Sequence, residues 1–363
     1  MGINKKHIAI ICNYELLESR VGGMDYFFWE FDKKCKAQHI EVDWFFPNTA
    51  SHGNYKTFKI FPSENKNLEE YFIYHIKNQT VTYSYIITHF VELCTSFYAE
   101  VKKFQPAKVI VVDHNPRPLC GYPLKKRIKK RIKGILYSKH INLFIGVSQY
   151  TSRAILQDFG SFLNHKTQTI YNGVLMDDII PKTTERNKLN PNFLVVSHLR
   201  VSKGIQDLIT AVGYLSNELK ANLKIDVYGD GPYKNELLQL IATTNLEAVF
   251  NFKGSQSNLK SLYQQYDYLI QPTHMECFSL SILESLAANI PVITTPVGGN
   301  TEVVTQNENG FLFDAKNAKA LSKLLAEVIT GKKYIAETTR PLIESKFSIE
   351  VMVQKHLELL NNY

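Results

Sequence analysis

Short apolar runs recur along the chain. Each is followed by a glycine-rich or polar loop, and then by a stretch with apolar residues at helical spacing. Residues 7–13 (HIAIICN) form the first run and read as a buried strand. A loop ending in Gly22-Gly23 follows, then a helical stretch over 24–31. Residues 40–47 predict a second strand, 48–70 a polar loop with a short strand, and 91–103 a helix. Lys108–Asp113 (KVIVVD) is a continuous β-branched run, the pattern of a strand buried on both faces of a parallel sheet. It runs into Asp113-His114-Asn115-Pro116-Arg117-Pro118, polar groups placed where an open sheet carries its function. Residues 141–147 and 167–171 predict two more strands, the second closed by Asn172-Gly173.

Apolar periodicity is lost over 178–192, which reads as an interdomain linker. A second strand–helix series then starts. Strand 192–197 leads into His198-Leu-Arg-Val-Ser-Lys203-Gly204 and a helix from Ile205. Strand 223–228 leads into Gly229-Asp-Gly-Pro232 and a helix from Tyr233. After strand 249–252 come Lys253-Gly254 and a helix over 257–265. Strand 267–272 precedes a helix bearing Glu284, and strand 291–295 ends in Pro296-Val-Gly298-Gly299-Asn-Thr-Glu302. Residues 349–360 form a last amphipathic helix. Such alternation predicts an α/β protein of two doubly wound, parallel-sheet, Rossmann-like domains facing across a cleft, with the cleft as ligand site. The fingerprint G-x-G-x-x-G is absent, so NAD binding gains no support.

Residues 274–289 (HMECFSLSILESLAAN) concentrate the chemistry. Glu276 sits on a strand-to-helix loop, and Glu284 about a turn into the helix. Between them the amides of Phe278, Ser279 and Leu280 open the helix without intrahelical partners. A helix N-terminus at the carboxyl end of a parallel strand is an anion site. Two carboxylates bracketing it suit a ligand with a diphosphate in the middle and hydroxyls at both ends, such as a sugar nucleotide. Two plainer assignments compete. Ser281-Ile-Leu-Glu284 also fits a capping box, and a loop glutamate is more often a solvated surface group. The triplet His274-Met-Glu276 lacks the downstream Pro-Cys-x-x-Cys of zinc deaminases, which excludes that chemistry.

A length of 363 residues fits two domains, and 44% apolar with 21% charged residues fits a soluble globular protein. The five cysteines are scattered without a C-x-x-C pair, which argues for a reducing compartment and against a zinc site. The apolar run after Lys5 and Lys6 is too short for a signal sequence, and no run approaches the ~20 apolar residues of a membrane helix. The net charge of +8 points to an anionic partner. Within 124–136, Lys125 to Lys133 hold seven cations in nine residues, and Leu124, Ile128, Ile132, Ile135 and Leu136 share one helical face. The pattern suits either a charged helix docked by its apolar stripe or a helix lying on an anionic membrane. No aromatic interleaving or nucleic-acid-binding motif accompanies it, so nucleic acid is not an expected partner.

With these residues in place, the sequence resembles the family 4 retaining glycosyltransferases of GT-B fold, the group 1 glycosyl transferases. The marks are Glu276-(x7)-Glu284, His198-Leu-Arg-Val-Ser-Lys203-Gly204, Gly229-Asp-Gly-Pro232, Pro296-Val-Gly-Gly299, Asn309-Gly310-Phe311 and Tyr171-Asn-Gly-Val174, with weaker agreement at Gly22-Gly23 and in the turn from Gly146. The resemblance implies an acceptor-binding domain over 1–175, a nucleotide-sugar-binding domain over 190–345, and a C-terminal helix, 346–363, crossing back onto the first. It implies catalytic roles for Glu276 on the donor sugar, Lys203 on the diphosphate leaving group and His114 near the reacting sugar. Glu284 is to accept the ribose hydroxyls. Gly22, Gly23, His198, Arg200, Gly231, Gly254, Cys277, Phe278, Ser279 and Leu280 are to contact substrate. No cofactor or metal is implied, because the substrate is a UDP- or GDP-linked sugar and no Asp-x-Asp motif is present. The expected reaction is metal-independent sugar transfer with retention. The acceptor is a glycan or lipid-linked molecule of bacterial polysaccharide or lipopolysaccharide synthesis. The expected setting is the cytoplasm, at the inner face of the membrane through 124–136. Two departures stand out. His198 occupies the family's usual arginine position, and Cys277-Phe278-Ser279 replaces Gly-Phe-Gly. A nucleotide-sugar epimerase of the same architecture, or a non-catalytic basic protein of the membrane surface, is the alternative.

Overall fold

The structure is a computed structural model that describes residues 6–64, 66–256 and 258–362. Positions 1–5, 65, 257 and 363 of the expected elements lie outside the described residues. The chain divides into two compact units. The first comprises Met1–Pro116, Cys120–Gly173 and Ile349–Tyr363, and the second Arg117–Leu119 and Val174–Ser348.

Unit 1 runs β1 (His7–Cys12), α1 (Gly23–Ala37), β2 (Glu41–Phe46), β3 (Lys59–Pro62), α2 (Leu68–Asn78), β4 (Tyr85–His89), α3 (Ser96–Phe104), β5 (Lys108–Asp113), α4 (Leu124–Tyr137), β6 (Leu143–Gly146), α5 (Gln149–Phe159) and β7 (Thr167–Thr169). Its seven strands are parallel in the order β3-β2-β1-β4-β5-β6-β7. The order reverses between β1 and β4, which makes a switch point there. The aliphatic strand faces explain the core: Ala9, Ile11, Ile86, Val109, Val111 and Phe144 are almost fully buried under α2, α3 and α5.

Unit 2 runs β8 (Phe193–Val196), α6 (Ile205–Gly213), α7 (Asn217–Ala221), β9 (Ile225–Tyr228), α8 (Lys234–Thr243), β10 (Phe250–Gly254), α9 (Leu259–Leu262), β11 (Tyr268–Gln271), α10 (Leu280–Ala287), β12 (Val292–Thr294), β13 (Gly310–Leu312), α11 (Ala318–Ile329) and α12 (Arg340–Lys346). Its six strands are parallel in the order β10-β9-β8-β11-β12-β13, with the switch between β8 and β11. The last helix, α13 (Ile349–Asn362), packs on α1 within unit 1, where His356 lies 4.8 Å from the Phe27 ring. Both sheets are covered by helices, which is the doubly wound architecture read from the sequence pattern.

Three local readings change. Strands β4 and β13 and helices α2, α7, α11 and α12 are additions to the elements read from sequence. Tyr, Ser, Thr and His interrupt the apolar run around β4, yet all five of its residues are buried because it is a central strand. The segment 178–192 is not a free linker. Buried Arg186 donates to the carbonyls of Ile335, Asn289 and Glu337, and Asp267 accepts from the backbone of Asn187 and Asn192. Arg186 is buried to make these bonds, while Thr183, Thr184, Glu185, Lys188 and Asn190 around it stay exposed.

The third concerns α4. It docks through Lys130, Lys133, Gly134 and Tyr137, the only positions of the helix that are not exposed. Gly134 presses so closely on Phe159 that a Cβ would come within 2.1 Å of its carbonyl oxygen. Lys130 pairs with Asp158 at 2.9 Å and Lys133 with Glu92 at 2.6 Å. At about 100° per residue, the five-residue apolar stripe lies roughly opposite this seam. Leu124, Ile128, Ile132, Ile135 and Leu136 are accordingly 50–67% exposed. The stripe does not pack on the domain's own sheet.

Candidate functional site

In unit 2 the switch point brings the loops after β8 and β11 together, and these carry Lys203 and Glu276. Lys203 Nζ donates to Glu276 Oε2 at 2.8 Å. Glu276 Oε1 accepts from the Cys277 amide at 3.1 Å, which fixes the carboxylate plane. The loop from Pro272 to Phe278 is braced on both sides. The His274 amide donates to the Ser202 carbonyl at 2.8 Å, and His274 Nε2 meets Asp207 Oδ2 at 2.6 Å. Opposite, the Thr295 hydroxyl donates to the Thr273 carbonyl at 2.6 Å, and the Gly299 amide to the Cys277 carbonyl at 3.0 Å.

Two motif glycines permit this closeness. Gly204 has φ +71°, and a Cβ there would lie 1.8 Å from the Pro272 carbonyl oxygen. Gly298 has φ +64°, and a Cβ would lie 2.0 Å from the Glu276 carbonyl oxygen. A side chain at either would push the Glu276 loop off its position.

Ser279 caps α10, its Oγ accepting from the Ile282 amide at 3.5 Å. Ser281 and Ser279 both accept from Gln271 Nε2, which ties the helix start to the end of β11. With the cap at Ser279, the capping box from Ser281 to Glu284 is not formed. Glu284 is instead turned to Tyr263, whose hydroxyl donates to Oε2 at 2.9 Å. Burial raises the Glu284 carboxyl above its ordinary range, while the Tyr263 hydrogen bond and the Lys260 charge pull it down. Leu280 opens the helix, and Phe278 is buried with its ring 5.5 Å from Phe347.

His198 and Arg200 are exposed on the loop after β8. That loop is stitched to the next by the Leu199 amide donating to the Asp230 carbonyl at 3.0 Å. Gly231 allows the approach, since a Cβ there would lie 2.4 Å from the Leu199 carbonyl oxygen. Gly254 ends β10, with φ +68° and open space where a Cβ would be. Unit 2 therefore gathers a cation, two carboxylates and a helix N-terminus along one sheet edge. This arrangement can receive a phosphorylated, hydroxyl-bearing ligand.

Unit 1 carries a second cluster at its own switch point. Gly22 caps α1, and its amide donates to Asp25 Oδ2 at 2.9 Å, so that amide is already engaged. Gly23 is the first residue of the helix. Asp25 is fully buried and accepts the hydroxyls of Tyr14 at 2.9 Å and Tyr55 at 2.6 Å. His114 follows β5, and its Nε2 shares a proton with His89 Nδ1 at 3.0 Å. The Phe90 ring, held at φ +57°, stacks on His114 at 4.3 Å. His356 from α13 stacks near His89 at 6.3 Å, and its Nδ1 meets the Met352 carbonyl at 2.8 Å. Burial keeps all three imidazoles neutral. It pushes His114 down to about 3 and His356 to about 4, and takes His89 well below its usual value. Sequence reading found His114 but missed His89 and His356. The missed strand β4 hid the first, and nothing local marks the second. Among the described residues no group of three or more His, Cys, Asp or Glu is placed to hold a metal ion.

Residues 176–344 match the family described as glycosyl transferases group 1. The chain is 23% identical over 291 residues to the N-acetyl-alpha-D-glucosaminyl L-malate synthase of Bacillus anthracis, covering 71% of this chain and 75% of that protein. It is 27% identical over 207 residues to the N-acetylgalactosamine-N,N'-diacetylbacillosaminyl-diphospho-undecaprenol 4-alpha-N-acetylgalactosaminyltransferase of Campylobacter jejuni, covering 57% of this chain and 55% of that one. Its fold superposes on the crystal structure of Anabaena HepE in complex with UDP-glucose with a TM-score of 0.78, at 18% identity, over 98% of this chain and 100% of that one. The stretch 176–344 is thus similar to the group 1 glycosyl transferases, and the fold of the chain is GT-B.

Proposed function

We propose that the protein moves a sugar, with retention of configuration, from a UDP- or GDP-linked donor to a glycan or lipid-linked acceptor of bacterial cell-surface polysaccharide or lipopolysaccharide synthesis. The observation that carries this reading is the convergence of Lys203, Glu276 and the N-terminus of α10 at the β8/β11 switch point, with Glu284 one turn further in. Glu276 takes donor-sugar hydroxyls, and Glu284 takes ribose hydroxyls. As the glycosidic bond breaks, negative charge grows on the diphosphate. Lys203 and the amides of Phe278, Ser279 and Leu280 meet it, with His198 or Arg200 as an outer cation. That supply of positive charge leaves no step assigned to a metal. The acceptor hydroxyl attacks from the face the leaving group departs and passes its proton to the departing diphosphate oxygen, so no covalent sugar–enzyme intermediate is needed. His114 and the start of α1 at Gly22-Gly23 serve the reacting sugar and the phosphates from unit 1.

Two similar proteins support this reading: a structure in complex with UDP-glucose, and a transferase named for an undecaprenyl-diphosphate acceptor. A lipid-linked acceptor places the protein in the cytoplasm at the inner face of the membrane, held by 124–136. No described helix is long and apolar enough to cross a bilayer. The test is a panel of sugar nucleotides, scored by the rise in melting temperature and by release of nucleoside diphosphate. One donor should raise the melting temperature and be turned over when acceptor extract is added. A panel that shifts nothing overturns the reading.

A further inference from the structure

Helix α4 is amphipathic in the wrong sense for a soluble domain. Its polar seam, Lys130, Lys133, Gly134 and Tyr137, faces the protein, and its aliphatic stripe faces outward. Five large aliphatic side chains on one exposed helix face need an occupant. The charge around them selects it. Lys125 and Lys129 border the stripe on one side, and Arg127 and Arg131 on the other, all exposed. A second copy of this chain would bring like charges face to face. A nucleic acid would leave the stripe in water. An anionic bilayer satisfies both features, since phosphates sit at the level of the cations and acyl chains below it.

We infer that α4 is an in-plane insertion helix that buries Leu124, Ile128, Ile132, Ile135 and Leu136 in the acyl boundary of an anionic bilayer, with its flanking cations at the headgroups. This rests on the membrane attachment proposed above and adds its mode, which is insertion rather than charge alone. Cation-π contacts stiffen the helix on the protein side. Lys126 and Lys130 lie 4.1 and 4.6 Å from the centre of the Tyr122 ring. The Lys130–Asp158 pair also holds α4 on unit 1, so the stripe is presented on a fixed support.

Co-sedimentation of the full chain with phosphatidylglycerol vesicles, across a salt series, tests this. Charges alone are screened to about 3 Å at 1 M salt. Binding by insertion weakens with salt but persists there. The variant Ile128→Glu/Ile132→Glu should lose the persistent fraction, with affinity down roughly tenfold or more. Lys125→Glu/Lys129→Glu should lose mainly the salt-sensitive part. All four positions are exposed and outside the donor loops, so melting temperature and the donor-induced shift should match wild type. An Ile132→Trp variant should show blue-shifted emission, quenched by brominated lipid. Binding abolished by salt, with no blue shift, overturns insertion and leaves electrostatic attachment standing. No binding to phosphatidylglycerol at any salt overturns both. Equal binding to neutral vesicles overturns the part assigned to the cations.

Discussion

At the carboxyl edge of the second sheet, Lys203 and Glu276 hold opposite charges 2.8 Å apart, within reach of solvent. At the same edge of the first sheet, His89 and His114 share one proton at 3.0 Å, and both are buried. The two units share one strand order, apart from the seventh, edge strand of unit 1, and place their side chains by the same device, two loops leaving the sheet where strand order reverses. They differ in what they keep there. Unit 2 keeps paired charge, which can be re-paired by an incoming diphosphate. Unit 1 keeps neutral imidazoles walled by Phe27, Phe28 and Phe90, which can orient hydroxyls without competing for phosphate. The contrast teaches that a shared fold fixes where a site lies, while burial and partners fix its charge state.

The most severe way to break the contrast is on the charged side. Glu276→Ala should remove turnover, a loss beyond about 10³-fold, since both a sugar contact and the partner of Lys203 go. Circular dichroism and melting temperature should stay near wild type, and near-normal release of nucleoside diphosphate would refute the assignment. Lys203→Ala comes next, costing about 10²–10³-fold in kcat by analogy with other preorganised leaving-group contacts. His198→Ala and Arg200→Ala should each cost less, because both lie exposed and each covers for the other. A Lys203→Ala enzyme as fast as wild type would remove the phosphate role.

A milder change separates ribose binding from chemistry. Glu284→Gln should weaken the donor roughly tenfold to a hundredfold, by loss of charge-assisted hydrogen bonds, with kcat little altered. Burial holds the Glu284 carboxyl above its ordinary value. It therefore takes up a proton sooner than an exposed carboxylate as pH falls, and wild-type donor affinity should drop on the acid side. Titration calorimetry over pH should show that drop in the wild type and a flat profile in the variant.

The smallest effect belongs to the neutral side. His114 and His356 sit below the 6.5 of a free histidine, at about 3 and about 4. Above 6.5 both folded and unfolded histidines are neutral, and the fold has its full stability. As pH falls below 6.5, only the unfolded chain takes up the protons. Stability is then lost by up to about 1.4 kcal/mol per pH unit for each histidine, until the folded values are reached. Melting curves of wild type and His356→Phe from pH 7 to 5 should diverge, with the variant falling less steeply. Parallel slopes would mean that His356 takes up its proton at the same pH in the folded and the unfolded chain.

The alternation of apolar runs and helical stretches was enough to announce two parallel-sheet domains. Most strands buried on both faces are continuously apolar, and each crossover helix carries one apolar stripe. Lys108–Asp113 and the helix from Leu280 were legible for that reason. So were the glycines at 204 and 298, as motif letters, although only the tertiary structure shows the carbonyl oxygens that exclude a side chain at each. Strand β4 was not legible, because polar residues buried between two neighbours look like a loop in one dimension. Strand order decided what no local window holds. It set β8 beside β11 and so Lys203 against Glu276, which are 73 positions apart, and it brought His356 of the last helix to His89. The same holds for α4. Its amphipathic pattern is local, but which face meets the protein depends on Gly134 fitting against Phe159 and on Lys130 finding Asp158. Periodicity specifies that a helix has two faces. Only packing against a particular neighbour decides which one is turned to the outside.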